Sequence, residues 1–257
     1  MRRVLSGWRA LLLLLALFGA WELYVDLGAV SSLLLPAPHS VAAALYDDRG
    51  LLWSNFKVTA AEVLLGIAAA AAAALLLATA MHFSTTVRRA VYPLLIASQT
   101  IPIPMIAPIL VLWLGFGIGP KLVVIGLVSF FSIVITTLAG FAAVDPELLK
   151  LMRTFGASRR RVFLDIELPS ALPGVFTGTK IAVIVAVIGA VFAEQSGANS
   201  GLGYIFEQSI PQLLMARAYA AVAILSAFAI LLFAMLTLAE RLTVPWAYRP
   251  IGDVPKS

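Results

Sequence analysis

Runs of about 20 apolar residues recur along this chain and constrain its fold more than any other feature. About 20 such residues let a helix cross the roughly 30 Å hydrocarbon core of a bilayer. Charged residues make up only 12% of the chain, which is about half the share that is usual in soluble domains. These features predict an all-α polytopic membrane protein.

The hydropathy pattern predicts about six membrane-spanning helices. Their predicted bounds are Ala10–Leu27, Val58–Met81, Val91–Leu114, Lys121–Val144, Leu172–Ala193 and Leu213–Glu240. Seven consecutive alanines in the second span, Ala68–Ala74, favour close approach of helix backbones in lipid. The first run could instead be a cleaved signal peptide, but no convincing small-residue cleavage site follows it, so we expect a retained helix.

Prolines are dense in the third span. They are tolerated in a membrane helix only where a cavity or neighbouring helices satisfy the freed carbonyls. We therefore expect this span to line a translocation path. Gln99 and Thr100 could offer hydrogen bonds to a passing polar solute, or could bond to a neighbouring helix. The residues predicted for the path are Gln99, Thr100, Pro102 and Pro104.

The distribution of positive charge predicts the orientation of the chain. With both termini in the cytoplasm, only four of the 18 lysines and arginines fall outside, namely Arg49, Lys57, Lys121 and Arg217. Such a bias follows the positive-inside rule. We expect one domain: a first helix and an outer interfacial segment (residues 1–57), core helices (58–240) and a cytoplasmic tail (241–257). The outer segment, residues 31–56, is expected to form a short interfacial helix.

The segment 145–169, called the charged segment below, interrupts two apolar runs on the cytoplasmic side. Asp145 is a suitable N-cap and Pro146 suits the first helical turn. Gly156 is suited to a left-handed helix end. A second short helix, residues 157–167, is expected to end at "LPSALPG". The segment either docks onto a partner through exposed Met152 and Phe155, or is a solvated loop whose arginines only set topology.

The charged segment carries a resemblance to a known family. Gly156, Ile166, Leu168 and Pro169 match the pattern G-x9-I-x-L-P, which resembles the cytoplasmic loop of ABC-importer permeases. "RTFGAS" and "AEQSGANSGLGYIFEQS" look like the nitrate, taurine, alkanesulfonate and pyrimidine-precursor permeases. The resemblance extends from Leu35 to Trp246. It implies the transmembrane domain of a type I importer, working as a homodimer with two ATPase subunits and an extracytoplasmic solute-binding protein.

The resemblance also implies which residues act. The residues expected to contact the ATPase are Lys150, Met152, Arg153, Phe155, Gly156, Ala157, Ser158, Ile166, Leu168 and Pro169. Apart from the resemblance, the glycine-rich stretch 196–204 can form a tight outer turn with exposed backbone amides. It is either an outer gate or binding-protein contact, at Glu194, Asn199, Gly201 and Gly203, or an ordinary re-entrant connector. Where the broader class has Glu-Ala-Ala, this chain has Lys150-Leu151-Met152, which changes the charge that the partner meets. The solute is expected to be small and polar: a pyrimidine thiamine precursor, a sulfonate, taurine or nitrate.

No catalytic or cofactor chemistry is predicted for the chain. It has no cysteine and two histidines, His39 and His82, which do not suggest a metal site. Its nearest approach to a phosphate-binding loop, residues 174–180, has the wrong spacing, so ATP and Mg²⁺ are expected on a separate ATPase. The alternative is an ion-coupled secondary transporter that uses Glu62 or Glu194. Against it, both acids are expected at the outer interface, where water reaches them.

Overall fold

The computed structural model describes residues 4–28 and 30–248, and every regular element in these ranges is helical. In chain order the helices are α1 (Val4–Asp26), α2 (Pro38–Asp47), α3 (Arg49–Phe83), α4 (Thr85–Ser98), α5 (Ile103–Leu114), α6 (Ile118–Ala142), α7 (Pro146–Thr154), α8 (Arg159–Val162), α9 (Leu168–Gln195), α10 (Leu202–Ser209) and α11 (Met215–Thr243). A π-helical turn, Phe163–Glu167, joins α8 to α9. Part of the predicted tail, with Arg249 and Lys256, and the predicted inner cations Arg2 and Arg3 lie outside the described residues.

The described helices confirm an all-α polytopic membrane protein. Four of them are long and apolar enough to cross a membrane: α3, α6, the continuous stretch Arg159–Gln195, and α11. The bent pair α4 and α5 brings the number to as many as five. The predicted first span falls on α1, a helix of 23 residues.

The third predicted span is not one straight helix. It consists of α4 and α5, whose axes are bent by 102° at the break between them. Pro102 has no N–H to donate and disfavours helical geometry at the residue before it, Ile101. The backbone therefore leaves the helix after Ser98 and resumes at Ile103, with Pro102 as the N-cap. The expectation that Gln99 and Thr100 lie inside a membrane helix was wrong, since both lie in this break.

The start of the fifth span also differs from prediction. Instead of ending at "LPSALPG", the second short helix runs through it, so that residues 159–195 are helical without a break. The amide of Leu168 donates to the carbonyl of Phe163, five residues back, and this π-type bond widens the turn just before Pro169. A π-bulge of this kind accommodates a proline without ending the helix.

Two compact units divide the described residues, and each has its own packing. One contains the described residues of Met1–Thr59 together with Ala198–Ala227, and the other those of Ala60–Gly197 together with Phe228–Ser257. The expectation of a single domain stays a prediction. In the first unit, the short helix expected in residues 31–56 is α2, and it ends at Asp47. The rest of the predicted interfacial segment, from Arg49, is the first part of α3.

Small residues bring the helices of the second unit into close contact. A Cβ added to Gly174 of α9 would lie 2.4 Å from the carbonyl oxygen of Thr136 in α6, and one added to Gly178 would lie 2.8 Å from the Cα of Ile133. Glycines four residues apart allow such backbone contact between membrane helices. On α3, Ala70, Ala74 and Ala78 are buried, also at intervals of four. Two alanines of the predicted run, Ala70 and Ala74, are thus buried, whereas Ala68, Ala69, Ala72 and Ala73 are exposed.

Candidate functional site

The helix α7 of the charged segment begins and ends as its sequence predicts. A side-chain oxygen of Asp145, Oδ1, accepts the amide of Glu147 at 2.8 Å, and Pro146 occupies the first turn. At the other end Gly156 has φ +75°. The amide of Ala157 donates to the carbonyl of Met152, and that of Gly156 to the carbonyl of Arg153. This pair of bonds is a Schellman motif, which caps a helix where a glycine turns the chain.

One face of α7 is apolar and exposed. Leu148, Leu151 and Phe155 are 40%, 51% and 78% exposed. Their spacing of three and then four residues places them in one row along the helix. Met152, the anchor expected from the sequence, is only partly exposed, and Leu148 and Leu151 were missed. The helical spacing was the signal that would have found them, because Met152 projects about 100° around the helix axis from Leu151.

The charges of the segment are partly paired within it. Lys150 donates to Glu147 at 2.8 Å, three residues earlier, and Arg161 to Asp165 at 3.4 Å, four residues later. Both pairs are exposed, and pairs of this kind contribute little stability. Arg153 and Arg160 have no carboxylate partner among the described residues. The segment therefore presents uncompensated guanidinium groups, with Arg153 projecting about 160° around the axis of α7 from Phe155.

A histidine from another helix, missed in the sequence, anchors the base of the charged segment. The His82 ring at the end of α3 contacts the carboxylate of Glu167, with 3.0 Å between Nε2 and Oε2. The ring also stacks on Phe141 of α6, with the centroids 4.5 Å apart, and lies 6.1 Å from the ring of Phe163. Only the folded chain brings these residues together, since 85 positions separate His82 from Glu167.

The other predicted residues of the segment lie along its second half. Ser158 caps α8, its hydroxyl accepting the amide of Arg161 at 3.3 Å. Ile166 lies in the π-helical turn, and Leu168 and Pro169 open α9. All three are half-buried. They therefore support the base of the segment, whereas Phe155 lies at its exposed end.

The residues predicted for the translocation path share one place. Gln99 and Thr100 lie in the break between α4 and α5, with Pro102 and Pro104 at the start of α5. All four are exposed. The Thr100 hydroxyl donates to the carbonyl of Ala97 at 2.8 Å. The break thus exposes polar side chains between α4 and α5.

The acids considered for ion coupling are buried, so the expectation that water reaches them was wrong. Glu62 is 3% exposed and Glu194 is 1% exposed. Lys121, which was assigned to the outside, is 8% exposed, and its ammonium group donates to Oε1 of Glu62 at 2.5 Å. A buried charge needs a partner to offset its desolvation, and Lys121 supplies one. Glu62 therefore serves as a structural counter-ion.

The glycine-rich turn predicted for an outer gate does not expose all of its amides. The amide of Gly201 donates to Oδ1 of Asn55 at 2.8 Å, and the amide of Leu202 to the hydroxyl of Thr59 at 2.8 Å. Gly201, with φ +117°, and Gly203 are buried, while Asn199 is exposed. Asn55 and Thr59 were not singled out in the sequence. They satisfy the free amides at the start of α10 as a capping side chain does.

His39 has acidic neighbours that its flanking sequence does not reveal. Its ring contacts the carboxylate of Glu22, and ligand atoms of Glu22, Asp26 and His39 all lie within 4.8 Å of one another. The hydrogen bond to Glu22 raises the pKa of His39 above its ordinary value of 6.5. Exposed acidic groups of this kind are common without a metal ion. The absence of a metal site stays a prediction.

The chain is similar in sequence to known transport proteins. Residues 63–245 match the family model of the binding-protein-dependent transport system inner membrane component. The formylaminopyrimidine transport permease of Halalkalibacterium halodurans is 36% identical over 247 residues, covering 96% of this chain and 98% of that protein. The riboflavin transport system permease of Chloroflexus aurantiacus is 32% identical, covering 91% and 88%. The taurine transport system permease of Escherichia coli is 29% identical, covering 91% and 87%.

Proposed function

Because the chain belongs to the family of inner-membrane components of binding-protein-dependent transport systems and is a permease subunit of an ABC transporter, we propose that its charged segment docks onto the ATPase subunits. The exposed apolar row Leu148, Leu151 and Phe155 is the observation that carries this proposal. Full burial of one such side chain contributes about 1.5–3 kcal/mol. A row of three such side chains can supply the buried apolar centre of an interface.

The protein's own part in transport is conformational. ATP would be bound and hydrolysed on the partner subunits, with Mg²⁺, because this chain offers no loop for phosphate. Residues 174–180 lie inside α9, and the Lys180 ammonium group donates to Glu240 at 2.7 Å. Closure of the ATPase pair would move α7, and the continuous helix Arg159–Gln195 would carry that movement to membrane depth. Such a cycle shifts the population between inward-open and outward-open states.

The remaining assignments complete the proposed importer. The chain would act as a homodimer with both termini in the cytoplasm, and a solute-binding protein would deliver the solute near Asn199. The break at Gln99 and Thr100 would face the path. Burial of Glu194, Gly201 and Gly203 favours a supporting role for them beneath the outer surface. The solute would be small and polar, with a pyrimidine first in order because the relative that is 36% identical carries that name.

Retention of the ATPase by purified permease variants tests the docking proposal. Leu151→Ala and Phe155→Ala should insert and dimerise normally in detergent, yet retain much less ATPase in a pull-down. Leu164→Ala is the matched control, because Leu164 is a 45% exposed leucine in the π-helical turn of the same segment. Equal retention by all three variants would show that the apolar row does not dock and that the segment sets topology only.

Cysteine labelling tests the orientation. The chain has no cysteine, so a single cysteine at position 159 or 199 can be labelled with an impermeant reagent in right-side-out vesicles. We expect labelling at 199 and none at 159. The reverse pattern would overturn the orientation and, because it would place the charged segment outside, the docking proposal with it.

Uptake into proteoliposomes tests the solute. Vesicles that hold the permease and its ATPase should accumulate the pyrimidine only when its binding protein and internal ATP are both present. Accumulation of taurine or an alkanesulfonate in its place would reject the pyrimidine assignment.

A further inference from the structure

A cavity of about 510 Å³ lies behind α7, between the charged segment and the end of α3. It is lined by His82, Arg153, Ala157, Arg159, Val162 and Glu167. Four of these six side chains are polar or charged, which sets the cavity apart from a packing defect. The helix that we propose as the docking element therefore has a polar pocket on the side of Arg153 and an apolar row on another face.

The single carboxylate of the cavity is already engaged. Glu167 is held by His82, with 3.0 Å between the two side chains, and these side chains are 13% and 21% exposed. The aromatic ring of Phe141 stacks on His82 and fixes the plane of the imidazole. Glu167 is therefore not placed to pair with an arginine across the cavity.

The two arginines of the cavity are differently placed. The Arg159 guanidinium lies over the ring of Phe83, 4.9 Å from its centroid, and one of its nitrogens donates to the Phe83 carbonyl at 3.4 Å. Arg153 makes no hydrogen bond or ion pair through its side chain within residues 4–28 and 30–248. A guanidinium carries five N–H donors in a planar fork that matches a carboxylate. Arg153 thus has no carboxylate partner among the described residues, and the one carboxylate that lines the cavity, Glu167, is bonded to His82.

We propose that this cavity receives an aspartate or glutamate side chain of the ATPase, which pairs with Arg153. This inference rests on the docking proposal above. Charge complementarity and position carry it: Arg153 and Arg159 give the cavity its positive charge, and both belong to the segment that we propose as the docking element. The partner's acid would supply the planar acceptor that Arg153 lacks, and Arg159 would add a second positive charge. The volume holds the stem of a side chain together with bridging water.

The local pairing of Lys150 agrees with the proposal that Arg153 binds the acid of the ATPase. Lys150 stands where the broader class has an acid, and its charge is offset locally by Glu147. Arg153, which lines the cavity, is left to set the preference for the partner. An acid on the ATPase would thus be recognised in the cavity rather than on the exposed side of α7.

The test measures the affinity of the ATPase for detergent-solubilised permease carrying Arg153→Gln. Removal of a charge-assisted hydrogen bond should weaken binding by about 10-fold or more, and the loss should shrink at high salt. Arg160→Gln is the matched control, because Arg160 is also exposed and unpaired among the described residues but does not line the cavity. We expect Arg160→Gln to change the affinity of the ATPase for the permease by less than about 2-fold. Equal effects of the two variants would overturn the inference.

A suppressor selection identifies the partner group. Arg153→Glu should abolish transport, and ATPase variants that restore it should replace an aspartate or glutamate with lysine or arginine. Suppressors without such a charge change would overturn the pairing. If Phe155→Ala lowers ATPase affinity and Arg153→Gln does not, docking holds and the carboxylate pairing fails. If neither variant lowers affinity, both proposals fail.

Two other anions are tested on the permease alone. Inorganic phosphate or vesicles of anionic phospholipid should raise the Tm of the wild type no more than they raise the Tm of Arg153→Gln. A rise that depends on Arg153, together with unchanged ATPase affinity, would assign the cavity to a free anion or a lipid headgroup and reject the ATPase carboxylate.

Discussion

The ammonium group of Lys121 lies 2.5 Å from the carboxylate of Glu62, across 59 positions of sequence and between α6 and α3. Both side chains are buried. This pair gives a structural role to Glu62, one of the two acids considered for ion coupling. It also explains how a lysine at the start of an apolar run can lie within a helical bundle.

Breaking this pair on one side should destabilise the protein more than removing it whole. Lys121→Met leaves the Glu62 carboxylate buried without its partner, at a cost of roughly 3–5 kcal/mol. The double variant Lys121→Met with Glu62→Leu should recover much of that loss. Thermal unfolding in detergent measures both. A double variant no more stable than Lys121→Met alone would contradict a structural role, and uptake that a protonophore abolishes despite ATP would point to Glu62 as a proton carrier.

Gly174→Ala should destabilise the contact of α9 with α6. The new Cβ would meet the Thr136 carbonyl oxygen at 2.4 Å, which only a shift of backbone can relieve. Overpacking of this kind costs about 1–3 kcal/mol. Gly126→Ala on α6 is the control, because nothing lies within 4 Å of its added Cβ. We expect a lower Tm for Gly174→Ala and an unchanged or higher Tm for Gly126→Ala, and the same Tm for both would refute the close contact.

Gly156→Val should weaken ATPase binding through backbone conformation. A Cβ at this position would meet nothing within 4 Å. The constraint is the φ of +75°, which costs a β-branched residue roughly 1–2 kcal/mol or more. Asparagine tolerates this region, so Gly156→Asn should bind the ATPase nearly as the wild type does. Similar losses in both variants would indicate that the glycine is needed for space at the interface.

Asn55→Ala should loosen the start of α10. It leaves the buried amide of Gly201 without its acceptor, at a cost of about 1–3 kcal/mol. Hydrogen exchange at Gly201 and Leu202 should speed up, while exchange in the middle of α6 should not change. Ser54→Ala is the control, because Ser54 is an exposed neighbour whose hydroxyl donates only to the Leu51 carbonyl. Unchanged exchange in Asn55→Ala would show that the amide finds another acceptor.

The contact between His39 and Glu22 should weaken at alkaline pH. The folded chain raises the pKa of His39 above 6.5 through its hydrogen bond to Glu22. The stability that the charged ring contributes is therefore fully present below 6.5 and is lost as the pH rises through the raised pKa. Titration of the imidazole NMR signal should show the raised pKa, and Glu22→Gln should lower it. A titration midpoint unmoved by Glu22→Gln would exclude this contact.

The sequence by itself determined the features that depend on neighbouring residues. The apolar runs determined helices of membrane length, because the bilayer thickness sets how many apolar residues a span needs. Asp145, Pro146 and Gly156 determined both ends of α7, because a helix cap uses groups within a few residues of the end. The row Leu148, Leu151 and Phe155 was also present in the helical spacing, although Met152 was chosen with Phe155 in place of the two leucines.

The tertiary structure decided what depends on residues far apart in the chain. Lys121 lies beside Glu62, and His82 beside Glu167, because packed helices bring distant side chains within hydrogen-bond distance. A single sequence does not reveal which helix faces which. The burial of Gly201 and the close approach at Gly174 have the same origin. Both require the partner surface, an acceptor on α3 in one case and the backbone of α6 in the other, before their role is defined.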